Sequence, residues 1–466
     1  MAGIGTENMV SLNTMVFGSL EFLFWYLPVF LLIYHLIPDK WKNAVLFGGS
    51  LILYGLGEPV YLFLLFGMSV VNYLFGLSLE TGEETEQCTR RKVLLAAALV
   101  YNAGLLVYFK TAAAFDSVML MPLGISFYLF KSISYLVDVY RGRITAERSL
   151  IRFGAYLSLF FQTVSGPIMR YEQMPSHMGE RQERLHSLEE GLKWLICGLA
   201  AKVLIADRLA ILWNDIQTIG FESISMPLAW LGMYGYSLQL YFDFAGYSMM
   251  AAGIGMMFGF PFIRNFEYPY AASCVSAFYR RWHMTLGSWF RDYVYIPLGG
   301  SRGGMGKTVC SVLAVWLLTG FWHGAGFHFW LWGIILGIIV LSEKIWLGKI
   351  LQKNRIFAHL YVLLMIPMTW MVFAIDSLDQ IGIYFARLFP FFGVSEAVNT
   401  GDFLKELTVF WPVLTAGVLF CIPAVGNAFL KRKNTVWVNL LLFGLFWLCV
   451  YTVSNAVNNP FMYAAF

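Results

Sequence analysis

Apolar runs long enough to cross a bilayer recur along this chain, and they leave few architectures open to it. About 30 Å of hydrocarbon takes roughly 20 helical residues, fewer where the helix is broken or sheltered by protein. Such runs are predicted at 16–37, 43–57, 59–79, 93–109, 118–139, 188–218, 227–260, 309–322, 326–343, 356–376, 405–430 and 435–455. Several are too long or too short for one upright helix, so kinks and partial spans are expected. Charge agrees: Asp, Glu, Lys and Arg make up 13% of the 466 residues, against roughly 25% in a soluble domain. The fold class predicted is all-α, a polytopic transmembrane helical protein.

The net charge is only +4, and the basic residues sit in short clusters between apolar runs. That distribution orients a chain in a membrane and does not suggest nucleic-acid binding. Lys40/Lys42, Arg90-Arg91-Lys92, Arg141 to Arg152, Lys344 to Arg355 and Lys431-Arg432-Lys433 are expected on the cytoplasmic side. The turns near Glu58, Asp116 and Asp376–Asp379 then fall outside, as do both termini. Six scattered cysteines form no CxxC and no zinc spacing, so neither a disulfide framework nor a metal site is expected. Residues 1–14 are polar and lack the features of a signal peptide. They read as an N-terminal extension, with Met15 a natural start and 15–466 a single transmembrane domain.

Two stretches interrupt this pattern. Phe153 to Val164 is apolar but flanked by basic segments on both sides. It is expected to dip in and return, breaking at Ser165-Gly166-Pro167, or to lie along the surface. Arg264 to Lys307 mixes arginines with Tyr268, Tyr270, Tyr279, Trp282, Trp289 and other rings. Cations and amphipathic rings suit the headgroup region, and they equally suit the mouth of a site for an anionic substrate.

Within these segments a few polar side chains stand out. His323, between Trp322 and Gly324, lies in a run that is otherwise apolar from Val309 to Leu341. An ionisable group inside a membrane segment is costly and marks a functional site by default, and imidazole can exchange a proton near neutral pH. A histidine merely hydrogen-bonded between helices would look the same. His283 follows Arg280, Arg281 and Trp282; on a helix, nearby cations would favour its neutral form, the form a general base needs. Asp243 is the barest carboxylate in a long apolar run, and it needs a partner or a raised pKa, so pairing with a histidine or an arginine is expected. Lys131 and Asp138 follow the helix start at Pro122–Gly124, and Lys131 should snorkel or pair. The chain carries no Walker loop, nucleotide fingerprint or nucleophile elbow.

Taken in order, the segments resemble the membrane-bound O-acyltransferase family, and its bacterial alginate O-acetyltransferase-like branch in particular. They begin with Pro122-Leu123-Gly124-Ile125-Ser126-Phe127-Tyr128, Asp138-Val139-Tyr140-Arg141-Gly142 and Ser165-Gly166-Pro167. Tyr241-Phe242-Asp243-Phe244-Ala245-Gly246-Tyr247-Ser248 and Asn265-Phe266-Glu267-Tyr268-Pro269-Tyr270 come next. Arg280-Arg281-Trp282-His283, Trp289-Phe290-Arg291-Asp292-Tyr293 and Gly320-Phe321-Trp322-His323-Gly324 follow, and Asn459-Pro460-Phe461-Met462-Tyr463 closes the series. Relatives often have an aspartate where this chain has Met249, and a glutamine where it has Lys131.

The resemblance implies helices, some re-entrant or interfacial, around a central acyl-transfer tunnel. It also implies transfer of an acetyl group from a cytoplasmic thioester, acetyl-CoA as co-substrate with no permanently bound cofactor, to hydroxyls of an exported polysaccharide. His323 and His283 carry over as the catalytic pair, with His323 as general base. Trp322, Asp243, Tyr241, Arg280, Arg281, Trp282, Trp289 and Arg291 are the expected substrate- and donor-binding residues. An extracytoplasmic polysaccharide acetyltransferase is the expected partner, and a bacterial inner membrane the expected location. Alternatives are D-alanyl transfer to teichoic acid from an acyl carrier protein, and a transporter with Lys131, Asp138, Asp243 and His323 along its pathway.

Overall fold

The computed structural model describes residues 17–80, 86–115, 121–163, 166–174, 185–389 and 399–455. The extension 1–14, the C-terminal motif 459–463, Asp116 and Ser165 lie outside them. All regular elements among the described residues are helices, as expected. The chain divides into two compact units, 1–192 with 251–262, and 193–250 with 263–466.

Among the described residues, six helices are long and apolar enough to cross a membrane: Pro59–Leu79, Thr89–Ala112, Met305–His323, Arg355–Ala374, Asp402–Phe420 and Val436–Asn455. This is about half the number of apolar runs in the sequence, because several runs fold as shorter or interrupted helices. The run 405–430 breaks at Cys421–Ile422, and Pro423 opens a new helix from the first-turn position that its missing N–H tolerates. Within the run 118–139 the described helix is Ile125–Tyr140. Just before it Gly124 has φ +71°, and a side chain there would strike the Thr163 carbonyl, so only glycine fits.

In the first unit, Phe22, Tyr26, Phe30, Phe160, Phe161 and Phe258 pack ring against ring at 5.3–6.2 Å. Asn102 donates to Asn72 across two helices at 2.7 Å, a polar tie of the kind that joins helices in lipid. Phe153 to Thr163 is buried throughout, in helices Leu150–Ser158 and Phe160–Thr163, which fits a segment that dips into the protein and not one lying on its surface. Lys131 is buried, donates to the Tyr156 carbonyl at 2.9 Å and lies over the Tyr156 ring, so it pairs as expected.

In the second unit, Gly198 and Gly246 allow two backbones to touch, since a Cβ at Gly246 would meet the Gly198 carbonyl at 2.7 Å. The helical stretch from Lys193 widens to a π-turn at Ala201–Ala206 before Asp207–Ile219. The hairpin of Met305–His323 and Phe327–Ser342 closes in the same manner: Cβ atoms on Gly320 and Gly333 would each meet a facing carbonyl at 2.6 Å.

Candidate active site

His323 is the last residue of the helix Met305–His323 and is buried. The turn Gly324–Gly326 sends the chain straight back, so the first residues of the return helix face the imidazole. A side chain on Gly324 would run into the Phe329 ring. The result is an aromatic box: Trp322 at 4.5 Å, Trp332 at 5.2 Å, Phe329 at 6.2 Å, and Phe373 from the helix Arg355–Ala374 at 5.0 Å between centroids. The glycines flanking the histidine thus serve close packing that fixes the ring.

His283 does not sit on a helix. Val275–Tyr279 ends before it and Met284–Phe290 begins after it, and His283 takes the left-handed conformation with φ 45°. The helical spacing that would have set Arg280 and Tyr279 beside the ring therefore does not occur. Burial holds the ring neutral instead, pushing its pKa down to about 3. Its Nδ1 is 3.2 Å from Asn265 Oδ1, and its ring meets Phe244 edge-on at 4.7 Å. Trp322 lies between the two histidines, 6.3 Å from His283 and 4.5 Å from His323.

Both histidines line one cavity of about 890 Å³, large enough for a cofactor-sized ligand. Arg280, Trp282 and Arg291 join them on its wall, whereas Trp322, Asp243, Tyr241, Arg281 and Trp289 do not. Trp282 stacks on Phe278 and tilts against Trp370. Tyr241 packs behind Trp282 at 6.0 Å, and Trp289 packs on Phe290 and Tyr293. Arg291 is largely exposed and pairs with Asp292 at 2.7 Å. Asp243 has a charged partner, as burial requires, but it is Lys202 at 2.7 Å and not the histidine or arginine expected. Of the four residues that a transport pathway would have joined, only His323 lines the cavity.

Glu343, Lys344 and Trp332 are among the wall residues that were not anticipated. Glu343 accepts from the backbone N–H groups of Val275 and Ser276 at 2.6 and 2.9 Å and from Ser276 Oγ at 2.6 Å, capping the short helix that leads to Arg280. Lys344 donates to Tyr295 at 2.5 Å. Trp332 walls the cavity beside His323. A carboxylate at the end of the apolar run 326–343 was the one available signal for Glu343. Among the described residues, no cluster of three or more His, Cys, Asp or Glu side chains is placed to hold a metal ion.

Three of the wall hydroxyls bond within the protein. Ser276 donates to Glu343, Ser288 to the Thr285 carbonyl and Thr319 to the Val315 carbonyl, while Cys274 Sγ accepts from Ala277 N–H. The cavity therefore offers two imidazoles, a largely apolar wall that includes seven Phe, Tyr and Trp rings, and the cations Arg280, Arg291 and Lys344.

Residues 144–375, which include both histidines, match the model of the membrane-bound O-acyltransferase family. A probable alginate O-acetylase of Pseudomonas syringae is 36% identical over 395 residues, covering 81% of this chain and 76% of the relative. A peptidoglycan O-acetyltransferase of Helicobacter pylori is 30% identical over 418 residues, 78% of each chain. A teichoic acid D-alanyltransferase of Streptococcus thermophilus is 29% identical over 248 residues, half of this chain and 59% of that one. With its membrane-length helices and this similarity through most of its length, the chain is a multi-pass acyltransferase that belongs to the membrane-bound O-acyltransferase family.

Proposed function

We propose that this protein O-acetylates an exported polysaccharide, taking the acetyl group from acetyl-CoA with His323 as general base. The observation that carries the reading is the shared cavity wall, where His323 and His283 stand with three cations in a largely apolar chamber. The names of the relatives supply the acyl group and the acceptor class, since two that match over more than three quarters of this chain are O-acetylating enzymes of alginate and peptidoglycan.

In this scheme the acceptor oxygen attacks the thioester carbonyl carbon while His323 takes the hydroxyl proton. The C–S bond then breaks, and the proton returns from His323 to the leaving sulfur, giving an acetyl ester and free CoA thiol. General base catalysis contributes about 10²–10⁴-fold when the base is within hydrogen-bond reach. The acetyl group passes directly from the thioester to the acceptor hydroxyl, with no acyl-enzyme between them. The phosphates of CoA suit the cations Arg280, Arg291 and Lys344. The enzyme works in the bacterial inner membrane with both termini outside, and with an extracytoplasmic acetyltransferase as partner.

The test uses the full chain in proteoliposomes with labelled acetyl-CoA. Wild-type protein should release CoA and transfer label to polymer, and His323→Ala should do neither while still eluting as a folded protein. Label transfer by His323→Ala would overturn the assignment. Mass analysis of the polymer separates acetyl from alanyl transfer.

A further inference from the structure

Asn265 fixes more than the position of His283. Its side-chain Oδ1 lies 3.2 Å from the Thr285 backbone nitrogen, 2.9 Å from Thr285 Oγ1 and 3.2 Å from His283 Nδ1. A backbone N–H can only donate, so the amide atom facing it is the oxygen. That oxygen can only accept, so His283 Nδ1 must carry a proton. A neutral imidazole has one N–H, which leaves Nε2 with a bare lone pair. Nε2 is buried and has no hydrogen-bond partner among the described residues, although its ring lines the cavity.

The backbone of Asn265 completes the clamp, its carbonyl accepting from Met284 N–H at 2.9 Å. The two residues after His283 are therefore both tied to Asn265. A non-glycine residue with positive φ is uncommon, and it persists where the surroundings over-determine it. At His283 the two ties supply that determination.

We propose that Asn265 is a positioning residue that locks His283 in the Nδ1–H tautomer, so that Nε2 meets the bound substrate as an acceptor for its O–H, N–H or S–H group. This rests on reading the cavity as the acyl-transfer site, and it divides the work of the two histidines. In the resting tautomer His283 Nε2 has no proton to give, so the proton delivered to the leaving sulfur comes from His323.

The experiment compares Asn265→Leu and Asn265→Asp with wild-type protein in proteoliposomes, measuring acetyl-CoA turnover across pH, with gel filtration as the check on folding. Leucine removes the acceptor at similar volume and should lower kcat by about 10–100-fold, by analogy with the loss seen when the outer partner of a metal-ligating imidazole is removed. Aspartate keeps the acceptor, so it should stay within a few-fold of wild type. Its charge favours the imidazolium and should move the acid limb of the kcat profile to higher pH. The rings nearest His283, Phe244 and Trp322, carry no charge. The cavity's charged or basic groups Arg280, Arg291, Glu343, Lys344 and His323 are common to all three proteins, so the shift belongs to position 265. Wild-type turnover in Asn265→Leu, or an equal fall in Asn265→Asp with an unmoved acid limb, would overturn the proposal. His283→Ala is the reference. If it is inactive while Asn265→Leu is fully active, the tautomer lock alone fails; if it turns over normally, the reading of the cavity fails with it.

Discussion

Lys202 Nζ lies 2.7 Å from Asp243 and 2.5 Å from Asp207, and the side chains of Lys202 and Asp243 are 10% and 3% exposed. Breaking a buried pair by removing one partner costs about 3–5 kcal/mol, because it leaves a buried charge uncompensated. Lys202→Met strands two carboxylates and should lower the thermal midpoint in detergent sharply. Adding Asp243→Asn should recover part of the loss, a coupling that a double-mutant cycle measures. If Asp243 instead contacts substrate, Asp243→Asn would raise KM without touching the midpoint.

The edge-on contact of Trp332 with His323, 5.2 Å between centroids and 89° between planes, makes Trp332 a wall that holds the imidazole. Trp332→Ala should destabilise the protein by about 3–5 kcal/mol through the cavity it leaves and lower kcat as the ring loosens. Trp332→Phe keeps most of the surface and should lose far less of both. Midpoints and turnover measured on the same preparations check the pair.

How much of this was legible in the sequence follows from range. Composition and apolar run length dictated the helical membrane class, because bilayer thickness acts on any segment alone. His323 was visible for the same reason: its cost depends on the run that surrounds it. The environment of His283 was not, because it depends on a left-handed residue between two short helices and on an asparagine 18 residues away. Arg281 and Trp289 share the aromatic and basic composition of the wall but do not line it. Which side of such a loop faces the cavity is settled by packing that no local period encodes. Asp243 was rightly expected to need a partner, yet composition could not say that Lys202, 41 positions earlier, would supply it.

His283 also predicts a pH dependence of stability. Its folded pKa is lowered from 6.5 to about 3 by burial, so between those values the unfolded chain binds a proton that the folded protein does not. Stability should be fully present above about pH 6.5 and should fall as pH drops towards 3, with a slope of about 1.4 kcal/mol per pH unit from this one group. His283→Gln removes the titration, so its midpoint should change less over that window. Thermal melts from pH 4 to 7 on the two proteins check the sign: a wild-type midpoint no more acid-sensitive than that of the variant would contradict it.

Arg280 and Lys344 test where the donor's phosphates rest. Both line the cavity, and Glu343, next to Lys344, caps the helix that leads to Arg280. A cation that meets phosphate contributes to binding through charge-assisted hydrogen bonds of about 1.5–3 kcal/mol. Arg280→Ala and Lys344→Ala should therefore each raise KM for acetyl-CoA by roughly tenfold or more, with little change in kcat. The decisive comparison uses an acetyl-pantetheine thioester, which lacks the phosphates. For that donor the wild type and both variants should have similar KM values, and added salt should weaken acetyl-CoA binding in wild type more than in the variants. An equal rise in KM for both donors would show that these cations shape the cavity without touching phosphate.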